Sequence, residues 1–425
     1  MERRFATRLK ELEADAVVSP EVFAELMPRV ESFLEPFLAK LNTPVKRQRA
    51  SQYVHGLLSG AERKNVETIA YLHDQHRMPM QKFIGQQAWD HRPIVSELAQ
   101  HVGAHLGEKQ AVLVFDPTSF PKKGSESAGV ARQWSGRLGK VDNCQVATFM
   151  AYVSREGHAL VNMRLYLSRE WCNAKSRRRK CGVPKEVKFK TRHEQALEML
   201  EEVGHFLPHA WISGDDEMGK SAGFRGILRT RGEHYVLAVP SNMTIRDLNA
   251  TPPQPTSTLG APPKVRFTQV RQWLAKQAET KWEKLDVRDG EKGPLVVEAL
   301  ATRVVSKYER RVCQDEETLL VTRERQGDGS WKHDYYFCHA PPHTPLAELV
   351  RAAKAEHEVE ECFQQAKSEV GLAHYEVRTW EGWHHHVTLS MLASYFLTVE
   401  TQREKKIGAC HDRAPDPLHN VVCVA

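Results

Sequence analysis

The sequence predicts an α/β protein in which a mixed sheet is flanked by helices, preceded by an all-helical segment and interrupted by a strand-rich block. Three observations carry that expectation. Apolar residues recur at three- and four-residue spacing up to about residue 105, which is the helical period. From residue 111 the texture changes to short apolar runs of strand length that alternate with helical segments. Between about 243 and 345 that alternation breaks, and a Pro-rich stretch leads into further strand-like runs.

The helical segment, 1–105, shows its period in Val22, Phe23, Leu26 and Met27 and again in Val30, Phe33, Leu34, Phe37 and Leu38. It is poor in β-branched runs and is punctuated at its end by Arg92-Pro93 and His101-Val102-Gly103, so it reads as a separate helical domain. Residues 111–115 suit a buried central strand that is expected to stop at Asp116-Pro117-Thr118. Two more strands, 145–153 and 159–167, are joined by a hairpin-length connection containing Gly157. Residues 191–204 have helical spacing, with Thr191 placed to cap the first turn and Gly204 to end the last. A short strand at 210–213 runs into Gly214-Asp215-Asp216-Glu217, followed by a helix at 222–229 and a strand at 235–239.

The prolines of 251–263 exclude helix and strand there. After them a helix is expected at 270–277 and strands at 295–301, 318–322 and 335–338. A long helix should run from 345 to 370 and stop at Gly371, and a last one should span 383–400. The organisation that follows is a helical domain at 1–105, a core in two parts at 106–242 and 346–402, a β-rich insertion at 243–345 and a loose tail at 403–425.

Composition narrows the function classes. The 425 residues carry 60 Lys+Arg against 54 Asp+Glu, a net charge of +6, with 41% hydrophobic and 27% charged residues, which excludes a disordered or fibrous chain. No apolar window reaches the roughly 18–20 residues of a membrane span, and the N-terminus lacks a signal-peptide run, so a cytoplasmic, nucleoid-associated protein is expected. The eight cysteines are scattered, and no disulfide framework is needed. The charge is unevenly spread: 155–192 holds twelve Lys+Arg against three Glu, a surplus of nine that exceeds the charge of the whole chain. Its centre, Lys175-Ser176-Arg177-Arg178-Arg179-Lys180, reads as a solvated loop or as a phosphate clamp, and its place just after the third core strand favours the clamp.

Three acids sit at element ends: Asp116 after the first strand, Asp215 after the short strand and Glu360 on the long late helix. Carboxylates at the ends of adjacent strands, with a third brought in by a helix, can hold two Mg2+ or Mn2+ ions roughly 3.5–4 Å apart for phosphoryl transfer. All-oxygen ligation disfavours zinc. The plain alternative is that the two aspartates cap turns and the glutamate lies on a solvated helix face, and spacing alone favours it. Trp134, Trp171, Trp380 and Trp383 suit either a core or base stacking, and Trp134 is kept as a candidate for stacking. His384-His385-His386 is assigned to helix surface, and Cys172 and Cys181 lack the second pair that a zinc site requires.

The surroundings of the acids point further. Val114-Phe115-Asp116 continues through Phe120-Pro121-Lys122-Lys123-Gly124, and a second stretch, Gly139-Lys140-Val141-Asp142-Asn143-Cys144-Gln145-Val146, follows. Gly214-Asp215-Asp216-Glu217-Met218-Gly219 is followed by Phe224-Arg225. Later come Val359-Glu360-Glu361-Cys362-Phe363, Lys367 and Gly371-Leu372-Ala373-His374-Tyr375-Glu376-Val377-Arg378. In order and spacing these blocks resemble the DDE transposases of bacterial insertion sequences, over about 110–400. The resemblance implies a ribonuclease H-like core with a β-rich insertion. It implies Asp116, Asp215 and Glu360 as catalytic, metal-holding residues, with Asp216 and Glu361 as secondary candidates. Glu360 and Lys367 are seven residues apart, nearly two turns, and so share a helix face. DNA contacts are expected at Lys122, Lys123, Lys175, Arg177, Arg178, Arg179, Lys180 and Lys367.

The activity implied is binding of terminal inverted repeats by a homodimer, metal-dependent cleavage, and joining of 3′ ends to target DNA, with the helical domain reading the ends. One departure stands out. Where related enzymes carry Tyr and Arg before the third acid, this chain has Ala353 and Glu356, and a carboxylate in place of a phosphate-binding arginine weakens DNA contact locally. That residue motivates the alternatives: a transposase-derived DNA-binding protein that does not cut, or a host nuclease of the same fold.

Overall fold

The structure is a computed structural model that describes residues 26–254, 264–288, 295–308 and 311–409. The Val22-Phe23 start of the helical pattern, most of the Pro-rich stretch and the tail beyond 409 lie outside the described residues. The chain divides into two compact units, neither of them one continuous stretch: Met1–Gly107 with Pro117–Leu207 and Glu360–Ala425, and Glu108–Asp116 with Pro208–Val359.

Among the described residues the first unit begins with the helices α1 (Leu26–Leu38), α2 (Pro44–Leu58), α3 (Val66–Leu72), α4 (Arg77–Gly85) and α5 (Arg92–His105). Local chemistry sets their starts. Thr43 accepts from the Lys46 amide ahead of Pro44, and Asn65 accepts from the Thr68 amide. Then come the outer half of β1 (Val112–Pro121), β2 (Ala131–Ser135), β3 (Lys140–Ser154), β4 (Gly157–Leu165), the short helices α6 (Arg169–Asn173) and α7 (Lys175–Lys180), and α8 (Arg192–Val203). β2, β3 and β4 form an antiparallel meander, and α8 packs on β3 and β4. α8 starts with a capping box in which Thr191 and Glu194 bond each other's backbone amides.

The second unit holds the inner half of β1, then β5 (Trp211–Gly214), α9 (Asp216–Lys220), α10 (Ala222–Thr230) and β6 (Tyr235–Ala238). β1, β5 and β6 are parallel neighbours. The strand-rich block consists of β7 (Thr244–Asp247), β8 (Thr268–Gln269), α11 (Val270–Leu274), β9 (Glu283–Arg288), β10 (Leu295–Tyr308), β11 (Arg311–Arg325) and β12 (Trp331–His339). It does not stand apart from the parallel strands: β12 pairs antiparallel with β6, and β11, β10 and β7 follow outward. Val239, Ile245, Val270, Trp273, Val304, Leu319 and Phe337 make its core. A buried ion pair fastens it to α10. Arg225 donates to both oxygens of Glu317 at 2.7 and 3.0 Å and to Ser306 at 2.9 Å, while the Tyr235 hydroxyl donates to Glu317 at 2.6 Å.

Two long helices come last among the described residues: α12 (Leu346–Ser368), whose last nine residues belong to the first unit, and α13 (Trp380–Ala409). Gly371 ends the α12 region in the left-handed conformation expected of it, at φ +63°. α13 packs against α2, α4 and β4 and is buried on nearly every face from Trp383 to Leu397. No helix among the described residues is long and apolar enough to cross a membrane.

The element order is the one the ribonuclease H-like resemblance implies, and the fold is α/β with a large mixed sheet flanked by helices. Four local expectations are corrected. β1 does not stop at Asp116 but runs through Pro117 to Pro121; Pro117 lies beyond Phe115, the last residue paired with β5, so its missing N–H costs that ladder nothing. β2 is an additional strand, paired with the start of β3. The basic run at 175–180 is a short helix and not a loop. His384, His385 and His386 are buried core residues of α13 and not helix surface.

Candidate active site

In the second unit the two aspartates are neighbours by register. Phe115 is paired with Gly214, the last step of the parallel β1–β5 ladder, so Asp116, midway along β1, and Asp215, just past the end of β5, are the next residues beyond it, on the side where open α/β sheets bind ligands. Gly214 permits this approach, since a Cβ there would stand 2.9 Å from the Phe115 carbonyl oxygen. Both aspartates are half-buried. Asp215 also caps α9, its Oδ1 accepting from the Met218 amide at 3.1 Å, so the turn-cap reading is realised by the same carboxylate. Asp216 is exposed and paired with Lys220 at 2.9 Å, one helical turn on.

The same unit holds a third carboxylate, at the position where the resemblance implies an arginine. Glu356, on α12, is half-buried, and burial together with the like charges of Asp215, Asp334 and Asp216 pushes its carboxyl up to about 7, against an opposing contribution from Lys354. Lys354 itself is held by Asp334 at 3.1 Å and by Glu324 at 2.5 Å. The signal available in the sequence was spacing: Glu356 stands one turn before Glu360 on the same helix.

In the first unit, Glu360 and Glu361 are exposed at the start of the second half of α12. Lys367, two turns on from Glu360, is half-buried and donates to Thr118 Oγ1 at 2.7 Å, with the Phe363 and Phe120 rings at 5.3 and 5.8 Å. Thr118 is two residues beyond Asp116 on β1. Lys122 sits 3.5 Å over the Tyr375 ring and donates to the Tyr375 carbonyl, and burial lowers its ammonium to about 8. Lys123 is exposed.

The basic helix α7 divides into inward and outward cations. Arg177 stacks over Trp171 at 4.0 Å and donates to the Ser125 carbonyl at 2.9 Å. Arg178 donates to the carbonyls of Cys172, Pro184 and Val187. Lys180 is paired with Glu126. Lys175 and Arg179 face solvent. Of the tryptophans, Trp171 and Trp383 are core residues, Trp380 is half-buried, and Trp134 is 58% exposed. Cys144, Cys172, Cys181, Cys338 and Cys362 are free thiols. Among the described residues no three His, Cys, Asp or Glu side chains form a ready metal-binding group.

Comparison with known proteins shows the family. A probable transposase for insertion sequence element IS701 from Microchaete diplosiphon is 25% identical over 232 residues, which is 53% of this chain and 57% of that protein, so the similarity spans little more than half of its relative. Residues 36–294, which include Asp116 and Asp215, match the family described as DDE superfamily endonuclease. That span is more than half of the chain, and the protein belongs to the DDE superfamily of endonucleases.

Proposed function

We propose that this chain is a transposase that cleaves DNA at the ends of an insertion element and joins the freed 3′ ends to target DNA. The observation that carries the reading is the parallel Phe115↔Gly214 pairing, which makes Asp116 and Asp215 the next residues beyond the end of the β1–β5 ladder. Together with Glu360 they offer only oxygen donors, a set that suits two Mg2+ or Mn2+ ions. The half-buried Asp215 and Glu356 add mutual repulsion that a bound cation would relieve. Such ions, when bound, would supply activation of an attacking oxygen and stabilisation of the departing one.

The protein's own groups position the DNA. Lys367, held over β1 by Thr118, and the outward cations Lys175 and Arg179 of α7 bind phosphates, and Lys123 extends that surface. The helical segment at the N-terminal end recognises the element ends, and a homodimer on DNA brings two ends together.

The test is a cleavage and joining assay on DNA that flanks the gene. Asp116→Asn and Asp215→Asn should each abolish cleavage in Mg2+ while DNA binding stays within a few-fold of wild type; retained cleavage would remove the two aspartates from the chemistry. One observation favours a second reading. Glu356 replaces an expected arginine and raises local negative charge, as a DNA-binding descendant that no longer cuts could tolerate. Wild-type protein that binds the ends without cutting would select that reading, and cutting without joining would select a nuclease.

A further inference from the structure

The β2–β3 hairpin presents an aromatic surface that nothing in the fold accounts for. Across the pair, Trp134 stands opposite Val141 and Arg132 opposite Asn143, so these four side chains share one face of the two-stranded ribbon. That face looks outward: Trp134 is 58% and Val141 51% exposed, and Leu138 at the tip is 41% exposed. The opposite face is anchored, since Ser135 is fully buried and its hydroxyl is 2.7 Å from that of Ser119 on β1, while Gln133 donates to the Cys144 carbonyl at 2.8 Å. The indole is therefore an exposed side chain on a fixed support. An exposed tryptophan beside Val141 and Leu138 costs solubility and adds nothing to the core, which points to a partner.

The charge around the hairpin indicates which partner. Asn143, at the hairpin's base, donates to the carbonyls of Lys122 and Gly124 at 2.6 and 3.0 Å, and Ser125, next in that loop, receives Arg177 of α7. A bonded path thus joins the aromatic face to the basic helix. Arg132, Lys123, Lys175 and Arg179 are exposed along it, whereas the acids Asp142 and Glu126 are each paired with a lysine, Lys140 and Lys180. The surface is apolar at the tip and cationic toward its base, which matches a nucleic-acid strand whose base stacks and whose phosphates lie alongside.

We propose that Trp134 is a stacking platform for an unpaired DNA base, with Val141 and Leu138 widening the apolar surface and Arg132 holding the adjacent phosphate. In duplex DNA a base's faces are occupied by its neighbours. The platform therefore distinguishes strands that have lost a neighbour, such as those at a cleaved end or a gap. This assignment rests on the DNA-processing reading above.

The experiment compares full-length wild type, Trp134→Ala and Trp134→Phe without metal in EDTA, by fluorescence anisotropy on a labelled 20-nucleotide single strand and on the same sequence as a blunt duplex. Stacking losses on alanine substitution predict that Trp134→Ala binds the single strand about tenfold or more weakly, stays within twofold of wild type on the duplex, and is largely rescued by Trp134→Phe. A 2-aminopurine at the unpaired position should be quenched by wild type and not by Trp134→Ala. Unchanged single-strand affinity, or an equal loss on both DNAs, would overturn the assignment. Because Trp134 is exposed, the variant is expected to fold, and thermal melting by circular dichroism checks it. The assay contains no metal and scores no cleavage. Failure of the aspartates in the cleavage test would leave this result standing, and absence of any DNA binding by wild type would overturn both.

Discussion

Glu356 shows how much one side chain can differ from what its neighbours imply. The blocks around it resemble those of transposases that carry arginine at this position, and here a carboxyl sits half-buried near Asp215 and Asp334 with its proton held up to about 7. Raised above its ordinary value of 4.5, it binds a proton in the folded chain that the unfolded chain has released. The stability it contributes is present below pH 4.5 and is lost as pH rises through 7. Glu356→Gln should therefore stabilise the metal-free protein at pH 8 by up to about 3 kcal/mol and by much less at pH 4.5. Urea denaturation in EDTA at the two pH values measures it, and an equal change at both would remove the carboxyl from this role. Asp215 makes a complementary point: helix cap and proposed metal ligand looked like competing readings in the sequence, and the cap uses only Oδ1 of a two-oxygen group.

At the scale of elements, the site depends on close approaches that only glycine allows. α9, which Asp215 caps, lies against β6 so tightly that a Cβ on Gly219 would come within 1.8 Å of the Ala238 carbonyl oxygen. Backbone on both sides cannot yield as a flexible side chain could. Gly219→Ala should thus cost at least about 3 kcal/mol in chemical denaturation and lower cleavage in whatever fraction stays folded, because displacing α9 moves Asp215. Gly136, at the hairpin tip with nothing near its Cβ position, is the control, and Gly136→Ala should be close to neutral. The elements themselves were largely legible. Three- and four-residue spacing located the helices, Thr191 and Gly371 marked real ends, and apolar runs marked β1, β5 and β6. The additional strand β2 escaped because Ala131–Ser135 has neither an apolar run nor clean alternation, and it exists through pairing with β3.

At the scale of the whole molecule, buried histidines set a limit at acid pH. His91, His385 and His386 lie in the first unit, and burial, the largest cause for each, lowers them to about 3, 4 and 3 respectively. Both ring nitrogens of His385 are 2.9 Å from carbonyl oxygens, of Ile84 and Trp89, which opposes part of the lowering by burial. Each ring is neutral in the folded chain and takes up a proton near pH 6.5 once unfolded, so stability is lost as pH falls from 6.5 toward 4, by about 1.4 kcal/mol per pH unit per ring. The melting temperature should drop steeply between pH 6.5 and 4.5 and be nearly flat from 7 to 8. His386→Gln should make the drop shallower; an unchanged slope would mean that His386 is already protonated in the fold.

The sequence by itself determined the class of fold, the order of its elements, the two aspartates that follow the apolar runs of β1 and β5 and the concentration of positive charge after the third core strand, because each is written in local spacing or in blocks a few residues long. What only the tertiary structure decided depends on distance in space between residues far apart in the chain. The Phe115↔Gly214 register sets Asp116 beside Asp215, and β12 on β6 makes the strand-rich block part of the same sheet as the parallel strands of its unit. Burial turned three consecutive histidines from surface into core, and it divided a uniform basic run into arginines that brace the backbone and cations that face solvent. Periodicity reports which face of an element is covered, but not what covers it, and charge, protonation and exposure follow from the covering group.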